Sequence, residues 1–402
     1  MRPSNNPDIA LAQEWIADLD AWIEAHGLVG YDPFDVKQHP WIRAAQPYAI
    51  LRKASTGLCD RFPHASRSLL HVQPSENPKA HALVALGKMR LCEVNDETSY
   101  LDHALEHLTW LAQRACSGYG GLCWGYPFAV SAKGLDTEAE TPVGVVSAIA
   151  GQAFLRAYEL TQKQQHLDAA RSVAQFMLDD LPRMEQPDGT VCFGYTPGDR
   201  RRVHNANLLV AEHLFQVGAI TQEPVLVDAA EPALRFSLTR QREDGAWYYG
   251  EYDVAEPFEE GILRLIDNHH TGFVLRSLHA ISKVWPGEDV TAAIEKGFRY
   301  YRKLFTPSGM PVNDYGQYPV DIHACAEGIL CASVLAESLF TARRLAFLAI
   351  RWPYFYLRNP DDGAPYYRKY PFFTARITFP RWGVAWMYLA VAEYLYRFYG
   401  KR

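Results

Sequence analysis

The 402-residue sequence contains no run of 18 apolar residues, so it lacks a segment long enough to form a membrane-spanning helix. Its N-terminal segment, MRPSNNPDIALAQEWIADLDAW, carries acidic residues where a secretory signal would need an apolar stretch. We therefore predict a cytoplasmic protein without a membrane span.

Charged residues are also few: they make up 21% of the chain, with a formal net charge of −6. A mildly acidic surface repels phosphate backbones, so we expect no nucleic-acid partner. The seven cysteines are odd in number and lie mostly in apolar helical surroundings, which predicts reduced core thiols rather than a disulfide framework. Neither a GxxxxGKS loop nor a GxGxxG fingerprint occurs, so nucleotide chemistry is not indicated and we predict no cofactor.

What the sequence does contain is a repeat. Six apolar helices are predicted at a nearly even spacing, each after a loop rich in Tyr, Trp, Gly, Pro and Asp. Equivalent positions in these helices lie 54 to 65 residues apart, and they are Ala82, Gly144, Asn207, Gly272, Ala326 and Gly383. A period of this length is typical of a repeat architecture, and each step can hold a two-helix hairpin with its loops.

Within each repeat an apolar helix is followed by a more polar one, as in TPVGVVSAIAGQAFLRAYELT and HLDAARSVAQFMLDDL. We therefore predict an all-α fold, an (α/α)6 toroid in which six helical hairpins form a closed ring. The N-terminal helix would complete the last hairpin. Because no Ser/Gly-rich or charged linker divides the chain, residues 1–402 are expected to form one domain. The inner helices are expected to start near residues 79, 141, 204, 268, 321 and 381.

The loops before the inner helices are rich in aromatic residues, and in a toroid they gather on one face. Rings beside Asp, Asn, Arg and His suit a sugar-binding groove, where ring faces stack on pyranose faces. The alternative is a structural collar that packs the mouth of the toroid. We expect the deepest cavity on this face, with sugar-binding rings at Trp124, Tyr126, Tyr195, Trp247 and Tyr315.

Three short stretches carry a more specific resemblance: GYDPFD (30–35), GAWYYG (245–250) and IDNHHTGFVL (266–275). Together with the repeat pattern, they resemble the six-hairpin glycosidase-like superfamily and, more narrowly, its VpsJ-like exopolysaccharide-biosynthesis group. The resemblance implies a protein that acts on a polysaccharide or oligosaccharide, alongside other polysaccharide-biosynthesis proteins. The hydrolase and lyase motifs of the superfamily are not recognisable here, so the resemblance assigns no catalytic residue.

A titratable cluster lies at the predicted start of the fourth inner helix. His269 and His270 follow Asn268 there, and an imidazole in this place can transfer a proton near neutral pH. His204 and His323 begin neighbouring inner helices in the same way, which makes them candidate substrate contacts. Because these histidines come from different repeats without the close spacing of a zinc motif, we predict no metal.

Tyr248 and Tyr249, in the loop before that helix, are the candidate partners of the histidines. An imidazole opposite a phenol suits β-elimination or C5 epimerisation of a uronate, because one group removes the proton next to the carboxylate and the other protonates the product. Asn268 or Asn205, together with Arg201, would neutralise the carboxylate. We therefore predict an epimerase or lyase that acts on an acidic polysaccharide or oligosaccharide.

Two alternatives remain open. A glycoside hydrolase needs two carboxylates that flank the scissile bond, and Glu138, Glu140 and Glu256 on the same loops are the candidates. A non-catalytic glycan-binding or assembly protein would need the aromatic groove but not the titratable cluster. The histidines therefore favour an enzyme.

Overall fold

The computed structural model describes residues 4–45, 48–132, 135–251, 260–313 and 316–400. A π-helical turn, Pro380–Ala385, leads into the last helix, and two short 3-10 turns span Asp35–Gln38 and Arg302–Leu304. The helices are α1 (Pro7–His26), α2 (Pro40–Ala45), α3 (Ala49–Arg61), α4 (Pro63–Leu69), α5 (Pro78–Asn95), α6 (Ser99–Gln113), α7 (Gly144–Thr161), α8 (Gln164–Asp179), α9 (His204–Thr221), α10 (Pro224–Thr239), α11 (Glu260–Leu263), α12 (Asn268–Val284), α13 (Glu288–Tyr301), α14 (Ile322–Leu335), α15 (Phe340–Tyr356) and α16 (Trp386–Phe398).

Six of these helices form the inner ring of a toroid. Each of α5, α7, α9, α12, α14 and α16 packs against the next, and α16 packs back against α5, so the ring is closed. Their outer partners are α6, α8, α10, α13, α15 and α1, in the same order. The predicted (α/α)6 toroid is confirmed, including the completion of the last hairpin by the N-terminal helix.

The inner helices are apolar because each one touches two inner neighbours and its outer partner. Residues 144–151 of α7 are all buried. Two of the contacts are too close for any side chain: a Cβ on Gly87 would lie 2.6 Å from the Tyr388 ring, and one on Gly151 would lie 2.4 Å from the His213 ring. The outer helices bury one face, which explains their mixed composition.

Polar contacts fasten α1 to the C-terminal hairpin. The Trp15 indole donates to the backbone oxygen of Gly363 at 2.9 Å. Arg351 Nη2 bonds to Asp8 at 2.9 Å. These contacts join residues more than 340 positions apart, so the two ends of the chain close the ring together.

Short strands hold the loops on the face where the inner helices begin. They pair antiparallel as β1 (Val29–Gly30) with β2 (Ser75–Glu76), β3 (Val130–Ala132) with β4 (Leu135–Thr137), β5 (Arg183–Glu185) with β6 (Val191–Phe193), β7 (Arg202–Val203) with β8 (Gly250–Glu251), and β10 (Arg368–Lys369) with both β9 (Val320–Asp321) and β11 (Thr374–Ala375). The strands β7 and β9 lead directly into α9 and α14, so pairing fixes where those helices start.

Five of the six predicted helix starts agree with the structure within one residue, when the π-helical turn Pro380–Ala385 is counted as the start of the last inner helix. The exception is α7, which was expected near residue 141 and begins at Gly144. The three residues before it are not helical because the chain pairs with the preceding loop: Val143 donates to the backbone oxygen of Trp124 at 2.9 Å, and Pro142 forms a bridge with Gly125.

The helices α2, α3 and α4 were not anticipated from the sequence. They lie against the loop face, where Asp60 of α3 bonds to Arg368 at 3.2 Å and Arg67 of α4 bonds to Asp35 at 3.0 Å. Within the described ranges, no helix is both long enough and apolar enough to cross a membrane.

Candidate active site

A cavity of about 370 Å³ opens at the end of the toroid where the inner helices begin. The second residue of each of the first five inner helices lines it: Lys79, Val145, Asn205, His269 and His323. In the sixth repeat the second residue of the π-helical turn is Arg381, and its neighbour Trp382 lines the cavity. Side chains from all six repeats therefore meet at one central space, which lies on the face that the sequence predicted.

A short polar contact joins Asp267 to His270 at the start of α12. One carboxylate oxygen of Asp267 caps the helix by accepting from the backbone N–H of His270 at 2.8 Å, and the other lies 2.6 Å from His270 Nδ1. The carboxylate is buried. It therefore orients the imidazole and favours the tautomer with a proton on Nδ1, which leaves Nε2 as the acceptor.

His269 and His323 form a second pair of rings in the cavity wall. Their centroids are 5.0 Å apart, and His269 Nδ1 lies 3.5 Å from Asp267 Oδ1. His323 is 3% exposed, and neither of its ring nitrogens has a hydrogen-bond partner among the described residues. Burial, followed by the repulsion of His269, lowers the pKa of His323 well below its usual value. The lowered pKa favours the neutral imidazole, whose donor and acceptor are both unused among the described residues.

Two basic side chains lie close together at another part of the cavity: Lys79 in its wall and Arg381 behind it. Lys79 is buried, and its Nζ lies 3.4 Å from the Tyr126 hydroxyl. Burial, together with the neighbouring Arg381, lowers the pKa of Lys79 well below its usual value. Arg381 bonds to Asp32 through Nε and Nη2 at 2.5 and 2.7 Å, whereas its Nη1 has no partner among the described residues. A bound anion would allow Lys79 to take up a proton.

Three of the tyrosines that were singled out line the cavity: Tyr126, Tyr195 and Tyr249. Burial raises the pKa of all three, to about 12 for Tyr249. Each phenol is therefore protonated at neutral pH and can donate a hydrogen bond. Tyr249 is placed to act with His270, because the centroids of the two rings are 4.4 Å apart.

Two carboxylates line the cavity in the described part of the chain, Asp267 and Asp321. Asp321 accepts hydrogen bonds from Arg368 Nε at 2.8 Å and from Trp382 Nε1 at 2.7 Å. Both carboxylates are therefore bonded to neighbouring side chains. The hydrolase candidates Glu138 and Glu140 are exposed and do not line this cavity, and Glu256 lies outside the described residues.

Eight of the site residues predicted from the sequence line the cavity. Within this group Arg201 is held by Asp199, with its Nη2 2.8 Å from the carboxylate, and Asn205 Oδ1 has no hydrogen-bond partner among the described residues. Their roles stay predictions, but the structure brings them together. The eight are Tyr126, Tyr195, Arg201, Asn205, Tyr249, His269, His270 and His323.

The expected sugar contacts of Trp124 and Trp247 are wrong, because both side chains are packed inside the protein. Trp124 is 0% exposed and Trp247 is 2% exposed. Their indole N–H groups donate to the backbone oxygens of Leu111 at 2.9 Å and Ser237 at 2.7 Å. These two rings therefore pack the toroid, as the collar alternative proposed. Tyr315 lies outside the described residues.

His204 and Tyr248 also lie away from this cavity, so their predicted roles need correction. The ring nitrogens of His204 are 3.1 Å from Ser237 Oγ and 3.0 Å from Glu251 Oε1. The Tyr248 ring packs against the guanidinium of Arg242, 4.7 Å from the ring centroid. Of the two candidate tyrosines, Tyr249 alone lines the cavity.

Asn268 is fully buried and accepts from the Tyr301 hydroxyl at 3.3 Å, so it is a packing residue rather than a substrate contact. Helical geometry explains the error, because successive residues differ by about 100° around the axis. The first residue of an inner helix points into the protein when the second points into the cavity. The position equivalent to His269 in α9 is therefore Asn205 rather than His204.

Several residues in the cavity wall or directly behind it were not identified as functional from the sequence. The repeat register did align Lys79 with the histidines, and it placed Arg381 and Trp382 beside the equivalent Pro380. The long-range contact of Arg381 with Asp32 has no sequence signal. Phe34 and Lys37, which also line the cavity, come from the segment before the first repeat.

The cluster of Asp267, His269 and His270 also has the composition of a metal site. Each residue offers one ligand atom, and these atoms lie within 4.8 Å of one another. Imidazole nitrogen and carboxylate oxygen suit zinc and related divalent ions. The hydrogen bond between Asp267 and His270 also accounts for the arrangement, and the absence of a metal stays a prediction.

The cavity on the loop face is not the largest. A cavity of about 480 Å³ opens at the opposite end of the toroid, where the inner helices finish. The sequence predicted that the deepest cavity lies on the loop face; volume does not measure depth, so this stays a prediction, and the loop-face cavity holds the predicted cluster.

Comparisons with known proteins identify the fold. No protein-family model matches the chain, and no curated protein matches its sequence. A sugar epimerase from a ruminal bacterium superposes with a TM-score of 0.63 at 11% identity, covering 81% of this chain and 89% of that one. A cellobiose 2-epimerase from Spirochaeta thermophila gives 0.61 at 14% identity, covering 81% and 88%.

A polysaccharide lyase superposes over a greater length, with a TM-score of 0.59 at 13% identity and coverage of 96% of both chains. At these identities the similarity establishes the fold. The chain is similar to proteins of the six-hairpin glycosidase-like fold, as the resemblance implied, whereas no comparison identifies the VpsJ-like group.

Proposed function

We propose that this protein is a carbohydrate-active enzyme that transfers protons at a carbon atom of an acidic sugar, as an epimerase or a lyase. The observation that carries the proposal is the arrangement of His270 between the buried carboxylate of Asp267 and the phenol of Tyr249, with the neutral His323 in the same cavity. Similar folds in a sugar epimerase and a polysaccharide lyase support the same reaction classes.

In this proposal His270 is the general base. Because Asp267 engages Nδ1 of His270, the Nε2 atom would remove the proton from the sugar carbon next to the substrate's carboxylate. The electron pair left on that carbon would move into the substrate's carboxylate group. In an epimerase, Tyr249 or His323 would return a proton to the opposite face. In a lyase, the electron pair would instead form a double bond and expel the oxygen at C4, which would take its proton from the same acid.

Lys79 and Asn205 are the groups that we propose for the acidic substituent, in place of Asn268. Lys79 lines the cavity without an acidic hydrogen-bond partner among the described residues, and its lowered pKa would recover on contact with an anion. Arg201 also lines the cavity, but Asp199 already engages its guanidinium.

The two alternatives have less support. A hydrolase would need paired carboxylates with one of them free to act as an acid, whereas Asp267 and Asp321 are each bonded to neighbouring side chains. A glycan-binding protein would not need the contact between Asp267 and His270. The role in exopolysaccharide metabolism and the partnership with other polysaccharide-biosynthesis proteins stay proposals that rest on the sequence resemblance. The cytoplasmic location also stays a proposal.

The test is solvent exchange. The protein is incubated in D2O with acidic oligosaccharides, and NMR records deuterium incorporation at C5 while ultraviolet absorbance records an unsaturated product. We expect the double variant His269→Ala, His270→Ala to lose exchange and elimination while it binds glycan within about tenfold of the wild type, a change of under ~1.4 kcal/mol. The matched control is His103→Ala, on the exposed face of α6, and it should behave as the wild type.

Three outcomes would overturn the proposal. Full activity in the double variant would remove the histidines from the reaction. Loss of activity only on substitution of Glu138, Glu140 or Glu256 would favour the hydrolase. Glycan binding by the wild type without exchange, elimination or hydrolysis would favour the binding protein.

A further inference from the structure

The larger cavity, at the end of the toroid where the inner helices finish, has a closed floor. Its wall includes Trp386, whose ring stacks on His323 of the loop-face cavity at 4.7 Å between centroids. Phe273, which lines the loop-face cavity, meets the same indole edge to face at 5.2 Å. A layer of aromatic rings therefore separates two chambers, and we call the larger one the rear cavity.

The charged residues of the rear cavity are mostly bonded to each other across neighbouring helices. Arg90 of α5 bonds to Glu393 of α16 at 2.6 Å, and Arg397 of α16 bonds to Glu337 of α14 at 3.0 Å. Lys283 of α12 bonds to the same Glu337 at 2.9 Å. With its cations matched by carboxylates in this way, the rear cavity offers little net positive charge to a phosphate or a carboxylate.

Arg276 is committed in the same manner. Its Nε and Nη2 bond to the fully buried Glu327 at 2.7 and 3.1 Å. This fork geometry is the strong form of an ion pair and fixes the guanidinium against α14. The remaining carboxyl group nearby, Glu212 of α9, is therefore not the main partner of Arg276.

Three polar side chains of α7 and α9 stand outside these ion pairs: Gln152, Glu212 and Gln216. Glu212 is 8% exposed and lines the cavity, and burial raises its pKa to about 7 against the opposing effects of its hydrogen bond with Ser277 and of the Arg276 charge. Gln152 and Gln216 line the cavity beside it, and in the described part of the chain neither amide takes part in a hydrogen bond or ion pair. A buried carboxyl group without an ion pair among the described residues is costly to ionise, so a ligand that donates hydrogen bonds would stabilise it.

We propose that the rear cavity is a second ligand-binding site and that it takes a small neutral polyhydroxylated ring, such as a monosaccharide. Glu212 would accept hydrogen bonds from adjacent hydroxyl groups, and the amides of Gln152 and Gln216 would both donate and accept. The apolar floor, with Trp386, would contact a ring face. A volume of about 480 Å³ lies in the range of small-molecule sites. This site is independent of the reaction proposed for the loop-face cavity.

The test uses the full chain with 13C-labelled isoleucine methyl groups, because the two chambers have separate reporters. Ile149 and Ile220 line the rear cavity, whereas Ile322 directly precedes His323 of the loop-face cavity. D-Glucose, D-mannose and myo-inositol are titrated separately, with D-glucuronate as the charged counterpart. We expect at least one neutral probe to shift the methyl signals of Ile149 and Ile220.

Variants then assign the binding groups. Gln216→Leu and, separately, Gln152→Leu should weaken the neutral probe by about tenfold or more, because each replaces an amide that bonds to hydroxyl groups with a side chain of similar size. Gln113→Leu, on the exposed end of α6, is the matched control and should bind as the wild type. The variant His270→Ala should keep the rear-cavity response, which separates this proposal from the catalytic one.

The proposal is overturned if no neutral probe shifts Ile149 or Ile220, or if D-glucuronate alone does so. It also fails if both glutamine variants bind as tightly as the wild type. Thermal unfolding of each variant shows whether a loss of binding comes from a loss of fold. If one of the two glutamine variants does not fold, the binding measured for the other still tests the proposal.

Discussion

Replacement of Asp267 by Asn isolates the contribution of one hydrogen bond to the proposed reaction. In the wild type, the carboxylate caps α12 and also lies 2.6 Å from His270 Nδ1. An amide can still accept from the backbone N–H, but it no longer supplies a charge to the imidazole. Loss of a hydrogen bond to a charged group costs about 1.5–3 kcal/mol, so we expect turnover to fall between about 10-fold and 200-fold.

The fold should survive this change, because the ring already contains an asparagine cap. Asn77 caps α5 by accepting from the backbone N–H of Lys79 at 3.0 Å. Asparagine and aspartate are similarly good N-caps, so we expect the free energy of unfolding of Asp267→Asn to change by less than about 0.5 kcal/mol.

Two measurements check the Asp267→Asn prediction. Deuterium exchange gives the rate, and 15N NMR of the imidazoles gives the tautomer of His270, which should shift away from the Nδ1-protonated form. In the His270→Ala background, Asp267→Asn should cause no further loss of rate, because the carboxylate acts through that ring. The reasoning would be refuted if Asp267→Asn alone left the exchange rate unchanged. It would also be refuted if Asp267→Asn lowered the rate in the His270→Ala background by the same factor as in the wild type.

Three further predictions concern stability. Burial raises the pKa of Glu212 from 4.5 to about 7, so between these pH values the folded state binds more protons than the unfolded state, and the free energy of unfolding falls as the pH rises. Between pH 4.5 and 8 the free energy of unfolding of Glu212→Gln, measured with urea, should therefore rise by up to ~3 kcal/mol relative to that of the wild type. Gly87→Ala should cost about 1–3 kcal/mol because its Cβ would lie 2.6 Å from a neighbouring ring, whereas Gly57→Ala, with no atom within 4 Å, should be neutral or stabilising in the same assay. Arg381→Ala should lower stability by about 3–5 kcal/mol because it leaves the buried Asp32 carboxylate without its main partner, and an unchanged melting temperature would contradict this.

The catalytic candidates illustrate how far a sequence pattern can lead. The loop and helix that carry Tyr249, His269 and His270 were found because three features coincide there: a repeat boundary, an aromatic loop and adjacent imidazoles. The neighbouring candidates Trp247 and Asn268 belong to the same stretch, yet both are buried in packing. Composition identifies such a stretch, but a rotation of about 100° per residue decides which member reaches the cavity.

The sequence by itself determined the ring of hairpins, because an apolar inner helix followed by an amphipathic outer helix buries its surface only against copies of the same unit. It also determined the face on which the helices begin. Tertiary structure alone decided the contacts of Arg381 with Asp32, 349 positions apart, and of His323 with Trp386 across the floor between the chambers. It also decided that Lys79 lies in the loop-face cavity without an acidic hydrogen-bond partner among the described residues, and that burial raises the pKa of Glu212 in the rear cavity. Periodicity reports which surface of a helix is buried, whereas pairing and pKa depend on side chains that chain closure brings together from distant repeats.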